Sequence, residues 1–166
     1  FPFDANCMLV YYRKDVFDEV GIKVPDDIET WDKAKASCRK LIETDPDYLT
    51  GFCAKVSTWA NDFWLTNCLA YGGIMFDENF EVMISKTCKP GMKHTLELME
   101  FTTPAVLTWD DGGLAEGMNS GQIVFAPMTW GGAAVTDVRF NKYGDVTSIA
   151  RAPRGPGAKT WVIEEA

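Results

Sequence analysis

The chain has 166 residues, of which 46% are hydrophobic and 24% charged, and its formal net charge is −8. This size and composition are typical of one globular domain with a substantial core. The 16 basic residues are scattered, which argues against a nucleic-acid surface because phosphate binding needs clustered Lys and Arg. No apolar run reaches the roughly 18 residues of a transmembrane helix. We expect no signal peptide in these residues, because no basic segment precedes an apolar one at the start.

The chain alternates strand-like and helix-like segments, which are identified by the period of their apolar residues. An aromatic-rich strand is predicted over 7–12, followed by a short helix over 14–20 that ends at Gly21. Thr30 is expected to cap the next helix. The further helices are predicted over 31–43, 59–71, 90–101, 108–118 and 131–140, the further strands over 51–56, 121–127 and 146–150, and a short hairpin over 76–84. Strands that alternate with helices predict an α/β fold, with a mostly parallel sheet and helices on both faces.

The reactive residue types show no catalytic or metal-binding pattern. The five cysteines have no CxxC pair and no zinc spacing, and most stand on apolar faces. We interpret them as buried thiols, with a disulfide between two of them as the alternative. His94 lies within a predicted helix without a partner for catalysis, so we expect it on the helix surface. Because GxSxG and HExxH motifs are also missing, the sequence predicts no enzyme, no cofactor and no metal site.

Four stretches of the sequence carry a resemblance to a known family. They are YYRKDVF over 11–17 with Gly21, Pro25 and Trp31-Asp32 after it, Phe63-Trp64 with the later Gly72-Gly73 turn, GMNSGQIV over 117–124, and PMTWGG over 127–132. In this order and spacing they resemble the extracellular solute-binding proteins of ABC importers, of the maltose-binding-protein-like, sugar-binding kind. The resemblance runs from residue 1 to about residue 160.

The resemblance implies a particular fold for the chain. Members of that family have two α/β lobes of similar size, and the ligand binds between them. The 166 residues are similar to the second lobe, which implies a three-layer αβα lobe of a type II periplasmic binding protein, incomplete relative to the two-lobe protein. Residues 1–6 and about 151–166 would then be hinge-side or inter-lobe segments.

The resemblance also implies a function and a location. The chain would belong to the substrate-binding component of an ABC importer, which captures a sugar, oligosaccharide or polyol when its two lobes close. The implied partners are the ligand, the missing first lobe and the transmembrane subunits of the permease. The implied location is the periplasm, or the outer face of the membrane in a Gram-positive source.

Polar and aromatic residues next to the predicted strands are the candidate ligand-binding residues. In α/β proteins ligands bind at such strand ends. Aromatic rings cover the C–H faces of a sugar, and carboxylates and amides bind its hydroxyl groups. Trp130 also matches the family's stacking tryptophan by position. The predicted ligand-binding residues are Trp130, Thr129, Trp59, Asn61, Asp62, Asn6 and Asp4.

Each candidate has a structural alternative, and the function has two competing hypotheses. Trp130 could fill the core, and the polar candidates could cap helices or form Asx turns. One alternative function is a self-standing carbohydrate-binding module or small carbohydrate-active enzyme that uses Asp110 and Asp111, although a helix N-terminus also favours acidic residues. Another is a small anion held by Arg151 or Arg154.

Overall fold

The computed structural model describes residues 8–130 and 133–157, which form a mixed α/β structure around one sheet. In these ranges the strands are β1 (Met8–Arg13), β2 (Leu49–Thr50), β3 (Ile123–Trp130) and β4 (Thr147–Arg151). The α-helices are α1 (Lys14–Val20), α2 (Trp31–Thr44), α3 (Thr58–Ala70), α4 (Ile84–Thr87), α5 (Lys89–Leu98), α6 (Asp111–Ser120) and α7 (Ala133–Thr136). Two 3-10 helices follow α5, namely η1 (Met99–Phe101) and η2 (Pro104–Thr108). Within the described ranges, the structure has no helix whose length and apolarity would let it cross a bilayer.

The sheet has the strand order β2-β3-β1-β4, and β1 runs against the other three strands. The predicted α/β fold is confirmed, and β2, β3 and β4 share one direction. The prediction of mostly parallel pairing is wrong in the described part of the chain, because β1 lies between β3 and β4 and pairs antiparallel with both. The crossover rule concerns strands that follow one another in the chain. The strands beside β1 in the sheet are β3 and β4, and neither is the next strand after β1 in the chain, so the rule does not fix the direction of their pairing with β1.

Helices cover both faces of the sheet, which agrees with the predicted three-layer lobe. On one face Tyr12 of β1 packs into a core with α1 and α2, where Phe17 and Trp31 are almost fully buried. On the other face Tyr11 of β1 packs into a second core with Leu114 of α6 and with α7. Successive residues of a strand point to opposite faces, so β1 contributes to both cores.

The first two helices begin and end close to the predicted positions. α1 ends at Gly21, which has a φ of 71° and donates its backbone N–H to the carbonyl of Asp18 at 3.2 Å. Glycine adopts this left-handed conformation without the steric cost that a Cβ would bring. At the start of α2, the Thr30 hydroxyl accepts a hydrogen bond from the backbone N–H of Lys33 at 3.4 Å. Both ends therefore depend on residues that are near one another in the sequence.

Two predicted elements differ in the structure: one strand is not formed, and one helix is shorter. The strand predicted over 51–56 is not formed, because the chain leaves the sheet after β2 and Ala54 donates its N–H to the carbonyl of Val106 in η2 at 3.2 Å. The helix predicted over 131–140 is confirmed only as α7 among the described residues. It is followed by a turn in which Phe140 and Asn141 both donate their N–H groups to the carbonyl of Asp137 at 2.9 Å.

His94 is buried, and the prediction that it lies on the helix surface is wrong. Its side chain is 1% exposed, its ring centroid lies 4.5 Å from that of Trp31, and its Nδ1 lies 3.1 Å from the hydroxyl of Tyr71. Burial, aided by the positive charge of Lys35, lowers the pKa of His94 from 6.5 to about 3. The buried positions of α5 follow helical spacing, so His94 belongs to the face that packs inward.

The described cysteines are buried, as predicted. Cys38, Cys53, Cys68 and Cys88 carry free thiols in this structure, whereas Cys7 lies outside the described residues. Burial raises the pKa values of the Cys38 and Cys53 thiols to about 12. Since the thiolate is the reactive form, these two groups behave as small apolar side chains near neutral pH.

The contact between α3 and α5 depends on a glycine. A methyl group at Gly91 would lie 2.5 Å from the Cα atom of Cys68 and 2.7 Å from the carbonyl oxygen of Asn67. Because backbone atoms of α3 would have to move away, we expect G91A to lower the free energy of unfolding by about 1–3 kcal/mol. Urea unfolding measures this change. G112A is the matched control, since the nearest atom to its added methyl lies at 3.4 Å. Equal losses in the two variants would contradict the close helix contact.

Candidate functional site

One edge of the sheet collects the loops that the sequence analysis connected with ligand binding. β2, β3 and β4 end at this edge, and β1 begins there because it runs in the opposite direction. Trp130, the last residue of β3, pairs with Met8, the first residue of β1. Ligands of α/β proteins bind outside the carboxyl ends of strands. We call this edge, where β2, β3 and β4 end, the carboxyl edge.

The loop of residues 51–57 leads from β2 at the carboxyl edge into α3. It is fixed by backbone hydrogen bonds from Gly51 to Phe125 of β3 at 2.8 Å and from Lys55 to Trp109 at 3.0 Å. The side chain of Val56 is 94% exposed within it. The loop is therefore held in place from Gly51 to Lys55, and the exposed apolar side chain of Val56 follows directly before α3.

The predicted residues Trp59, Asn61 and Asp62 lie in the first turns of α3, directly after this loop. α3 begins at Thr58, so Asn61 stands inside the helix and does not cap it. Asn61 is exposed and Asp62 is half-buried. Both residues lie within two turns of the loop that leads from the carboxyl edge into α3.

The predicted residues Thr129 and Trp130 end β3 at the same edge. Thr129 is 4% exposed, and its hydroxyl oxygen lies 3.9 Å from the thiol sulfur of Cys53 in the loop after β2. This contact joins the loop after β2 to the end of β3, and the Thr129 side chain is buried within the fold. Asp4 and Asn6, the remaining predicted residues, lie outside the described part of the chain.

An ion pair at this edge was missed by the sequence analysis. Lys55 Nζ lies 2.9 Å from the Oδ2 atom of Asp110, and both side chains are partly exposed. The other carboxylate oxygen of Asp110 accepts a hydrogen bond from the backbone N–H of Gly113 at 3.2 Å, which caps α6. The hydrogen bond from Lys55, followed by that from Gly113, lowers the pKa of Asp110. The two charges stand 55 positions apart in the chain, so no local pattern reveals them.

The structure shows what Asp110 and Arg154 do within the fold. Asp110 caps a helix and pairs with Lys55, which agrees with the helix-terminal interpretation of the acidic pair. Arg154 forms an ion pair with Glu29, and its backbone carbonyl accepts a hydrogen bond from the N–H of Trp31 at 3.0 Å. Arg154 thus joins the start of α2 to the segment after β4. Residues 8–130 and 133–157 contain no group of three or more His, Cys, Asp or Glu residues placed to hold a metal ion.

Solved structures similar to this chain define its fold. The chain resembles the maltose-bound MalE3 of T. maritima with a TM-score of 0.86 and 21% identity, over 98% of this chain and 42% of that one. It also resembles a solute-binding protein of Agrobacterium vitis S4 with bound D-mannitol, with a TM-score of 0.81 and 24% identity over 97% and 40% of the two chains. The fold is therefore that of a type II periplasmic binding protein, of which the chain covers a part, as predicted.

The family follows from the sequence comparison. The family profile described as bacterial extracellular solute-binding protein matches residues 1–165, and the chain belongs to this family. Its members are transport-associated binding proteins. A similar protein is the mannitol-binding protein of Pseudomonas aeruginosa PAO1, which is 28% identical over 162 residues. The match covers 92% of this chain but 36% of that protein, so the chain spans well under half the length of this relative.

Proposed function

We propose that the chain forms one lobe of the substrate-binding component of an ABC importer for a sugar, oligosaccharide or polyol. The observation that carries this proposal is the convergence of the loop after β2, the start of α3 and the end of β3 on the carboxyl edge. Family membership supports it, as does the likeness to proteins described as binding mannitol and maltose. The proposed location is the periplasm, and the proposed partners are a first lobe and the permease subunits.

The proposed mechanism is closure of two lobes around the ligand, a hinge motion that binding proteins of this type use. In this scheme Trp130 and Trp59 cover the apolar faces of the ligand. Asn61, Asp62 and the hinge-side residues Asp4 and Asn6 bind its hydroxyl groups. The Lys55–Asp110 ion pair joins the loop after β2 to the start of α6, and it holds these two segments in place at the carboxyl edge. Closure excludes water from the site. A ligand that lacks a hydroxyl group then leaves a polar side chain of the protein without a hydrogen-bond partner, which lowers the affinity for that ligand.

The proposal assigns no catalysis to the chain. Both oxygens of Asp110 already have partners in Lys55 and Gly113, and the side chain of the neighbouring Asp111 accepts a hydrogen bond from Gly112 at 2.9 Å. Both carboxylates therefore accept hydrogen bonds from backbone N–H groups at the start of α6. Turnover of a glycoside that D110N abolishes would contradict this assignment and favour a carbohydrate-active enzyme.

Calorimetric titration with D-mannitol, ribitol and maltose tests the proposed function. Micromolar binding corresponds to roughly 8 kcal/mol, and half of that free energy corresponds to millimolar binding. We therefore expect the 166-residue chain to bind its sugar or polyol in the millimolar range or more weakly, and the protein with both lobes to bind it near micromolar. Micromolar binding by the chain alone would contradict the shared site. A two-lobe protein that binds no sugar or polyol would contradict the ligand class.

A further inference from the structure

Cys68 and Cys88 form a buried pair of thiols that the proposed function does not use. Cys68 lies in α3 and is 0% exposed, and Cys88 directly precedes α5 and is 2% exposed. The sulfur of Cys68 lies 3.7 Å from the carbonyl oxygen of Cys88, and the two thiols interact with each other. We call these two residues the thiol pair. They contact each other where the start of α5 approaches α3.

Glycines bring the backbone close around the thiol pair. A Cβ atom at Gly73 would lie 2.9 Å from the sulfur of Cys88 and 2.8 Å from the carbonyl oxygen of Cys68. At Gly91 it would lie 2.5 Å from the Cα atom of Cys68. Such close approach of the two backbone segments is what a disulfide needs, because its geometry allows only a short separation between the bonded residues.

The other described cysteines have no such arrangement. The sulfur of Cys38 lies 3.3 Å from the hydroxyl of Thr50, and that of Cys53 lies 3.9 Å from the hydroxyl of Thr129. Each therefore contacts a threonine. The difference makes Cys38 a suitable internal control for the thiol pair.

We propose that Cys68 and Cys88 form a structural disulfide when the protein folds in an oxidising compartment. The proposal rests on the proposed function, which places the chain outside the cytoplasm, where disulfides persist. A thiolate of one cysteine attacks an oxidant of the disulfide class, such as glutathione disulfide, and releases one glutathione thiol. The second cysteine then attacks the mixed disulfide and releases another. In sum the two S–H bonds of the cysteines and the S–S bond of glutathione disulfide break, one S–S bond between the cysteines and two glutathione S–H bonds form, and two electrons and two protons pass to glutathione.

The pair should oxidise during folding and not after it. In the folded chain, burial and the neighbouring Cys88 thiol raise the pKa of Cys68 to about 12, whereas the attacking species is the thiolate. Before α5 packs against α3, both thiols are exposed to the oxidant. The bond then ties α3 to the start of α5 and closes the loop of residues 69–87.

Disulfide mapping of the refolded chain tests the proposal. The reduced, unfolded chain is refolded with reduced and oxidised glutathione, its remaining thiols are alkylated, and it is digested with trypsin without reductant. Cleavage at Lys86 separates the two cysteines, so a disulfide joins two peptides that mass spectrometry detects as one. We expect this cross-link in most chains. We also expect a Tm higher by roughly 6–12 °C than that of the chain refolded with reductant, because a loop of this length is closed.

Variants make the assignment specific. C38A should retain the cross-link, while C68A and C88A should each abolish it. Should the latter two fail to fold, the mapping of the wild-type chain decides alone. A wild-type chain without a cross-link, or with Cys38 or Cys53 as the bonded residue, would overturn the proposal. Because this readout needs no ligand, it is independent of whether a sugar or polyol binds.

Discussion

Replacing Trp130 by alanine is expected to weaken the binding of the sugar or polyol by roughly 70-fold in the protein that contains both lobes. Trp130 ends β3 at the carboxyl edge, beside the first residue of β1. An indole ring that covers about 100 Å² of the apolar face of a ligand contributes roughly 2.5 kcal/mol, which corresponds to this factor. Calorimetric titration of the wild-type and W130A proteins with the same ligand measures the change.

Two further variants separate stacking from damage to the fold. W130F keeps an aromatic face, so it should lose less affinity than W130A. F140A removes a side chain that is 64% exposed in the turn after α7, and it should bind like the wild-type protein. An unchanged affinity of W130A would contradict the stacking role and favour the alternative, that Trp130 fills the core. In that case unfolding by urea should show a lower stability of W130A, which F140A does not share.

Acid is expected to destabilise the chain through His94, well above the pH at which carboxylates titrate. The pKa of His94 falls from 6.5 to about 3 on folding, so between these values the unfolded chain binds a proton that the folded chain does not. Stability therefore rises with pH in this window. The full contribution is present above about pH 6.5, and it is lost as the pH falls toward 3. One pKa unit corresponds to 1.36 kcal/mol, so we expect a loss of about 2–3 kcal/mol by pH 4.5.

The surroundings of His94 explain why it stays neutral and suggest the control. The ring lies against Trp31 and Tyr71, and the nearby charges of Lys35 and Glu97 pair with each other at 2.7 Å. Burial is the main cause of the lowered pKa of His94. The positive charge of Lys35 lowers this pKa further, and the negative charge of Glu97 raises it. H94Q keeps a polar side chain of similar size that does not titrate. Its stability should be nearly constant between pH 5 and 7.

Urea unfolding of the wild-type chain and H94Q at a series of pH values measures this effect. His94 is the single histidine of the sequence, so no other side chain with an ordinary pKa near 6.5 contributes a slope in this range. If the free energy of unfolding depended on pH equally in the two proteins between pH 5 and 7, that result would contradict the loss of stability through protonation of His94. A steeper loss below pH 4.5 is expected in both, because ion-paired carboxylates such as Asp15 have lowered pKa values.

Features of the fold that depend on neighbouring residues were predictable from the sequence. Gly21 ends α1 and Thr30 caps α2 because each acts on backbone groups within three or four positions of itself. The apolar run before Trp130 predicted a strand over 121–127 with Trp130 shortly after it, and β3 extends three residues further, to Trp130 itself. The order and spacing of the four family-like stretches predicted the family, which the comparison of the whole chain confirms.

Features that depend on distant residues appeared only once the chain was folded. The sequence does not reveal that β1 lies between β3 and β4, because strand pairing is set by the packing of the whole sheet. Nor does it reveal the Lys55–Asp110 ion pair or the burial of His94 among Trp31 and Tyr71. A side chain's burial, pKa and charged partner depend on what other parts of the chain pack against it, whereas caps and turns depend on hydrogen bonds within a single turn.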